Sequence, residues 1–218
     1  MIPGMERGGY QWWRSLAILG ILILTSCEGM DYYHGTGKFN TVVLDAGHGG
    51  YDMGGRAVYG EMNEKILALD IVKRINAILC HKGYHTILTR TDDTFIPLGK
   101  RTEISNHTPN SIFVSIHINW SRNRSAHGLE TFYYLPNSRR LATNILREIG
   151  QVYATPIRGV KFARFHVLRY NLRPAVLCEL GFDSNRFENG LLRKAQHRQS
   201  LAEAVARGII LEAEGRIP

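Results

Sequence analysis

The stretch V-V-L-D-A-G-H-G-G, from Val42 to Gly50, decides the fold class of this chain. Three apolar residues end at Asp45, and a glycine-rich turn then presents one histidine, His48. Glycine permits positive φ and a close backbone approach, so a buried strand that ends in such a turn presents its polar residue at the edge of a sheet. Ligands bind at that edge in open α/β sheets. The stretch therefore predicts a strand whose carboxyl end carries part of a functional site.

Two later apolar runs end in the same manner. The run that begins at Ile112 leads to His117, and the run that begins at Ala175 leads to Glu179. Glu64 lies in the first turn of a predicted helix that follows the glycine-rich loop. We expect His48, Glu64 and His117, with Glu179 close by, to form a catalytic metal site.

Structural alternatives remain for each of these residues. Glu64 could merely complement the dipole of its helix. His117 on a strand could be a hydrogen-bonded structural residue, and Glu179 could be a buried carboxylate satisfied by an arginine or by backbone donors. Charged residues inside apolar strands are rare unless they are paired or functional, which favours a functional Glu179.

Hydrophobic periodicity predicts a single α/β domain with a mainly parallel central sheet flanked by helices on both faces. The length of 218 residues suits one well-buried domain and is short for two. Strands are predicted over 40–45, 84–89, 111–118, 129–135 and 175–180, with a shorter strand or turn within 161–170. Helices are predicted from Asn63, as the N-cap, to Gly83, and over 98–106, 139–153 and 199–212.

The formal net charge is +8, but the basic residues are scattered, with no Lys/Arg run and no interleaved aromatics. This pattern disfavours nucleic acid as a partner. The glycine-rich loop lacks both the GxxxxGK[ST] lysine and the GxGxxG spacing, which disfavours a nucleotide site.

The amino-terminal residues predict export. Arg7 and Arg14 precede an apolar run over 16–24 that is too short to span a bilayer and suits a signal peptide over residues 1–26. The sequence L-T-S-C that ends at Cys27 resembles the bacterial lipobox, which implies lipidation of that cysteine. An ordinary signal with a chance cysteine and an uncleaved anchor are the alternatives. We expect a lipid-anchored tether over 27–37, a catalytic domain over 38–218, and a location in the bacterial cell envelope that faces the periplasm. With Cys27 lipidated, only Cys80 and Cys178 could pair, and the sequence leaves that pairing open.

Several motifs, in order, resemble the zinc-dependent N-acetylmuramoyl-L-alanine amidases. They are D-A-G-H-G-G, E-K at Glu64, L-T-R-T-D-D, S-I-H-I-N, R-G-V-K from Arg158 and C-E-L-G-F-D-S-N. The resemblance runs from about Val42 to the carboxyl terminus, through nearly the whole of the expected mature chain.

The resemblance implies that His48, Glu64 and His117 bind one Zn²⁺ and that Glu179 is the catalytic carboxylate. It also implies a substrate, which is the amide bond between N-acetylmuramic acid and L-alanine in peptidoglycan or in muropeptides. Arg101 and Asn119 are secondary candidates that could orient substrate or ligands, or simply brace loops.

Some members of this family carry a helical insertion that plugs the zinc. Only about sixty residues separate His117 from Glu179, so we expect an open site without such a helix. The need for an activator or another protein partner stays open. A catalytically silent relative that only binds peptidoglycan is the alternative, although all four positions are intact. A serine acyl enzyme is disfavoured, because no serine has a lysine three positions later.

Overall fold

The structure, a computed structural model, describes residues 39–55, 59 and 62–215. The predicted signal peptide, the lipidation site at Cys27 and the tether over 27–37 lie outside these residues. Within the described part of the chain, no helix has both the length and the apolar character that crossing a bilayer requires.

Six strands form one sheet in the order β2-β1-β3-β6-β4-β5. Strands β1, β2, β3 and β6 run parallel, whereas β4 pairs with β6 antiparallel and with β5 parallel. The mainly parallel α/β sheet predicted from the sequence is therefore confirmed. The bounds of β1 to β6 are Thr41–Ala46, His85–Leu88, Ser111–Asn119, Leu129–Tyr133, Ile157–Phe162 and Ala175–Phe182.

Helices cover both faces of the sheet, as predicted. The larger core holds α1, α3 and α6, whereas the smaller core lies under the short helices α2 and α4. Apolar residues at helical spacing, such as Leu67, Ile71 and Ile75, place one side of α1 against the sheet. The bounds of α1 to α6 are Glu64–His81, Leu98–Asn106, Arg139–Ile149, His166–Arg169, Arg186–Leu192 and Ala195–Ala213, with a 3-10 turn at Pro136–Ser138.

Some predicted boundaries are wrong. Helix α3 ends at Ile149 rather than Tyr153, and α6 begins at Ala195 rather than at residue 199. Helices α4 and α5 were not predicted, because four and seven residues hold too little periodicity to be recognised. The short strand or turn predicted within 161–170 is misplaced, since β5 spans Ile157–Phe162 and α4 occupies His166–Arg169. Asn63 occupies the N-cap position of α1, but its side chain makes no capping hydrogen bond. Cys178 is a free, buried cysteine, so the pairing with Cys80 that the sequence left open is not formed.

Candidate metal centre and active site

Three predicted ligands converge at the carboxyl ends of β1 and β3. His48 lies in the turn after β1 with φ of 60°, Glu64 begins α1, and His117 lies near the end of β3. Each residue offers one ligand atom, and these atoms all lie within 4.8 Å of one another. The fold therefore brings together side chains that are up to 69 positions apart along the chain (117 − 48 = 69).

The carboxylate of Glu64 is the centre of this cluster. Its Oε1 lies 3.1 Å from Nε2 of His48 and 2.9 Å from Nδ1 of His117. The backbone N–H of Ile118 donates to the same oxygen at 3.0 Å, and the N–H of Gly55 donates to Oε2 at 2.7 Å. These contacts fix the buried carboxylate between the two imidazole rings.

The negative charge of Glu64 favours the binding of a cation at this cluster. Burial opposes the charge on Glu64, but hydrogen bonds and the charges of His117 and His48 outweigh it and hold the pKa of Glu64 well below its usual value. Burial likewise lowers the pKa of His48, but hydrogen bonds to Glu64 and Asp52 outweigh it and raise that pKa. Two imidazoles and one carboxylate form a donor set that suits a catalytic divalent metal, which would replace the protons that these groups share.

Asp52 supports the cluster from outside and was not predicted from the sequence. Its Oδ2 lies 2.9 Å from Nδ1 of His48, and its Oδ1 accepts from the backbone N–H of Gly54 at 3.1 Å. A carboxylate on one ring nitrogen orients the other nitrogen toward the metal position. An acidic residue four positions after the histidine, in the same glycine-rich loop, is the signal that could have identified it.

Two glycines make room for the ligands. A Cβ atom at Gly54, where φ is 73°, would lie 2.5 Å from Oε2 of Glu64 and 2.8 Å from Cδ2 of His48. A Cβ atom at Gly47 would lie 2.4 Å from Cε1 of His117. Both positions therefore need glycine because the backbone approaches the ligand side chains closely.

Arg101 braces the turn that carries His48. The buried guanidinium donates to Oδ1 of Asp45 at 2.7 Å, to the carbonyl of Ala46 at 2.6 Å and to the carbonyl of His48 at 2.7 Å. Arg90 acts in parallel and donates to the carbonyls of Ala46 and Gly47. Of the two roles left open for Arg101, this geometry favours bracing.

Glu179 lies beside the ligands on β6, in register with His117 on β3. Its Oε2 is buried and has no hydrogen-bond partner in the described part of the chain. Burial, followed by the negative charges of Glu64 and Glu130, raises the pKa of Glu179 well above its usual value. A carboxyl group with a raised pKa beside a metal position suits proton transfer.

Asn119 holds a second buried carboxylate. Its Nδ2 donates to Oε1 of Glu130 at 2.7 Å, and Oε2 of Glu130 accepts from Arg158 at 3.3 Å and from Lys161. Sequence reasoning missed Glu130, because its cationic partners lie on another strand. Asn119 also lines the cleft that contains Glu179, so its contact with Glu130 is consistent with bracing, and both predicted roles stay open.

The ligands open into a cleft of about 550 Å³ that also contains Glu179 and is walled by aromatic residues, among them Phe95, Trp120 and Phe165. The side chains of His48 and His117 are 23% and 18% exposed to solvent. Between His117 and Glu179, a stretch that the structure describes throughout, α3 packs against α6 in the larger core, whereas His166 and Val167 of α4 line the cleft beside the predicted ligands.

Comparison with known proteins identifies the family. A family model described as N-acetylmuramoyl-L-alanine amidase matches residues 42–211. The chain is 37% identical to the Bacillus subtilis protein YqiI, over 90% of this chain and 95% of that protein. It is 35% identical to the amidase LytC of the same organism, over 78% of this chain and 35% of LytC. The solved structure of the amidase AmiC2 from Nostoc punctiforme matches with a TM-score of 0.75 and 40% identity, over 81% of this chain and 97% of that one. This chain belongs to the N-acetylmuramoyl-L-alanine amidase family, a class of amide-hydrolysing enzymes.

Proposed function

We propose that this chain uses one Zn²⁺, held by His48, Glu64 and His117, to hydrolyse the amide bond between N-acetylmuramic acid and L-alanine in peptidoglycan. The observation that carries the proposal is the position of Glu179. Its buried Oε2 has no partner among the described residues, and it lies on the strand next to His117. A purely structural carboxylate at this depth would be expected to have a hydrogen-bond donor.

The donor set fits zinc. Catalytic zinc sites use three histidine or carboxylate ligands and keep a fourth position open. Zinc, when bound, lowers the pKa of a coordinated water toward 7 and polarises a carbonyl group. Asp52 then holds His48 in one orientation, and Glu64 stays anionic because its pKa is low.

Glu179 performs the proton transfers in this proposal. The carboxylate accepts a proton from the attacking water, and the carboxyl group returns that proton to the nitrogen of L-alanine as the amine leaves. One residue can fill both roles because its surroundings already raise its pKa.

We further propose that the protein is exported and anchored in the cell envelope through lipid on Cys27. The apolar run over 16–24, followed by L-T-S-C, supports this location, and so does the naming of relatives as cell wall amidases. Mass spectrometry of the amino-terminal peptide from cells is the test. A lipid adduct on Cys27 is expected, and an unmodified peptide that still contains residues 1–26 would contradict the proposal.

The amidase proposal is tested with the full-length protein, its Glu179→Gln variant and a Glu203→Gln control. Glu203 is an exposed residue on α6. We expect about one zinc per chain in all three proteins. Peptides with a free amino-terminal alanine should be released from peptidoglycan by the wild type and by the control, and the rate should fall at least about a hundredfold with Glu179→Gln.

Two results would contradict this function. Zinc binding without cleavage by the wild type would indicate a protein that only binds peptidoglycan. Cleavage by Glu179→Gln at the wild-type rate would remove Glu179 from the mechanism.

A further inference from the structure

An open strip of sheet continues from Glu179 away from the metal ligands. Glu130 on β4 is paired with Glu179 on β6. Paired residues on neighbouring strands project from the same face of a sheet, so Glu130 lies on the face that carries the active site. The residue paired with Glu130 on β5 is Gly159, where an added Cβ atom would meet nothing within 4 Å. The floor of the strip is therefore uncovered at this point.

Two cations meet one carboxylate on this strip. Oε2 of Glu130 accepts from Nε of Arg158 at 3.3 Å and from Nζ of Lys161, while Asn119 occupies the other oxygen. The Glu130 side chain is 5% exposed, whereas the side chains of Arg158 and Lys161 are 37% and 39% exposed. The negative charge is thus buried, and one surplus positive charge faces solvent.

Both cations keep unused hydrogen-bond donors. Among the residues that the structure describes, Nζ of Lys161 has one acceptor, and Nη2 of Arg158 has none. The ammonium of Lys161 lies 5.8 Å from the ring centre of Phe132, and the guanidinium of Arg158 lies 5.0 Å from that of Phe182. These aromatic contacts, together with Glu130, hold the free donors in place beside the active site.

We propose that Arg158 and Lys161 bind a carboxylate of the peptide that is released from the scissile amide. This inference rests on the proposed amidase function. Neighbouring strands are about 4.8 Å apart and an extended peptide advances about 3.4 Å per residue, so a carboxylate two or three residues from the amide can reach the two cations. A peptide that leaves with a free amino end carries a carboxylate at its other end. Arginine and lysine bind such a group through charge-assisted hydrogen bonds, whereas a neutral sugar would leave the surplus charge unmatched.

The test compares substrates that differ only in this charge. N-acetylmuramoyl-L-alanyl dipeptides and tripeptides are prepared with a free or an amidated carboxyl terminus. For whichever peptide length fits the site better, the full-length, zinc-loaded wild type should cleave the free-acid substrate with a kcat/KM about tenfold above that of the amidated substrate. Most of this difference should come from a lower KM for the acid. Lys161→Met and Arg158→Leu should each bring that ratio toward one. Lys73→Met, which removes an exposed charge from α1, should keep the wild-type ratio.

Binding without turnover provides a second readout. Calorimetric titration of the Glu179→Gln protein with the same peptides should give tighter binding of the acid, by about tenfold. Equal affinities, or equal kcat/KM for acid and amide in the wild type, would overturn the anion site and leave the amidase proposal standing. An unchanged ratio in both Lys161→Met and Arg158→Leu would also overturn it. Failure of the wild type to release peptides from peptidoglycan would instead overturn the function on which the site rests.

Discussion

Removal of the Arg101 guanidinium should detach the turn that carries His48 from the end of β1. The guanidinium bonds Asp45, Ala46 and the carbonyl of His48, and its Nε donates to the carbonyl of Ile96 at 2.9 Å. Arg101 and Asp45 are 3% and 1% exposed, so water cannot replace these bonds. Arg101→Met would leave a buried carboxylate with one partner fewer and three carbonyls without this donor.

The expected loss is large. Breaking a buried ion pair by removing one partner costs about 3–5 kcal/mol, which is a large share of the roughly 5–15 kcal/mol that stabilises a domain. Arg101→Lys keeps the charge but lacks the planar fork that reaches several acceptors at once, so it should cost about 2 kcal/mol. Because the turn positions His48, zinc affinity should fall about 10- to 100-fold in Arg101→Lys.

Urea unfolding of the zinc-free proteins measures the free energy of unfolding, and competition with a chromophoric chelator measures zinc affinity. Arg207→Met is the matched control, because Arg207 pairs with Glu148 at 3.1 Å but is 51% exposed. A surface pair of this kind contributes less than about 1 kcal/mol. A loss below about 1 kcal/mol in Arg101→Met, or an unchanged zinc affinity in Arg101→Lys, would refute the bracing role.

Three further predictions concern the surroundings of the site. Asp52→Asn should weaken zinc binding about 10- to 100-fold, and an unchanged affinity in the chelator assay would contradict its orienting role. Gly54→Ala should weaken zinc binding at least about tenfold, because the new methyl group meets Glu64, whereas Gly190→Ala, which meets nothing within 4 Å, should not. Burial raises the pKa of Asp183 to about 6 in the folded protein. Protonated Asp183 therefore makes its full contribution to stability below pH about 4, and this contribution is lost as the pH rises through about 6. The free energy of unfolding of Asp183→Asn relative to the wild type should therefore increase by about 2 kcal/mol between pH 4 and 7, and a constant difference in urea unfolding would contradict the shift.

The strands that carry the site could be predicted because each is a local signal. The apolar runs before His48, His117 and Glu179 each end at a polar residue, and parallel strands bring such ends to one edge. The direction of β4 could not be predicted in this way, because the alternation within residues 129–133 is the same in either direction.

The partners of Glu130 illustrate a second feature that could not be predicted from the sequence. Lys161 lies 31 positions away on β5, whose residues 157–160 were not predicted as a strand, because the short strand or turn had been placed within 161–170. A pairing of this kind depends on strand register, which is fixed by tertiary contacts rather than by local sequence. The roles of Asp52 and Arg101 were missed or left open for the same reason, since each acts through backbone or loop contacts.

The position of β6 has a consequence for the order in which activity is gained during folding. Strand β6 is the last strand along the chain, yet it lies between β3 and β4. The β4–β5 pair therefore cannot join the sheet until β6 has inserted, and such long-range pairing is slow to form. A nascent or misfolded chain can assemble His48, Glu64 and His117 on β1, α1 and β3 while still lacking Glu179. The three proposed metal ligands all precede β6 along the chain, so the ligand set can be complete before the proposed proton-transfer residue is in place.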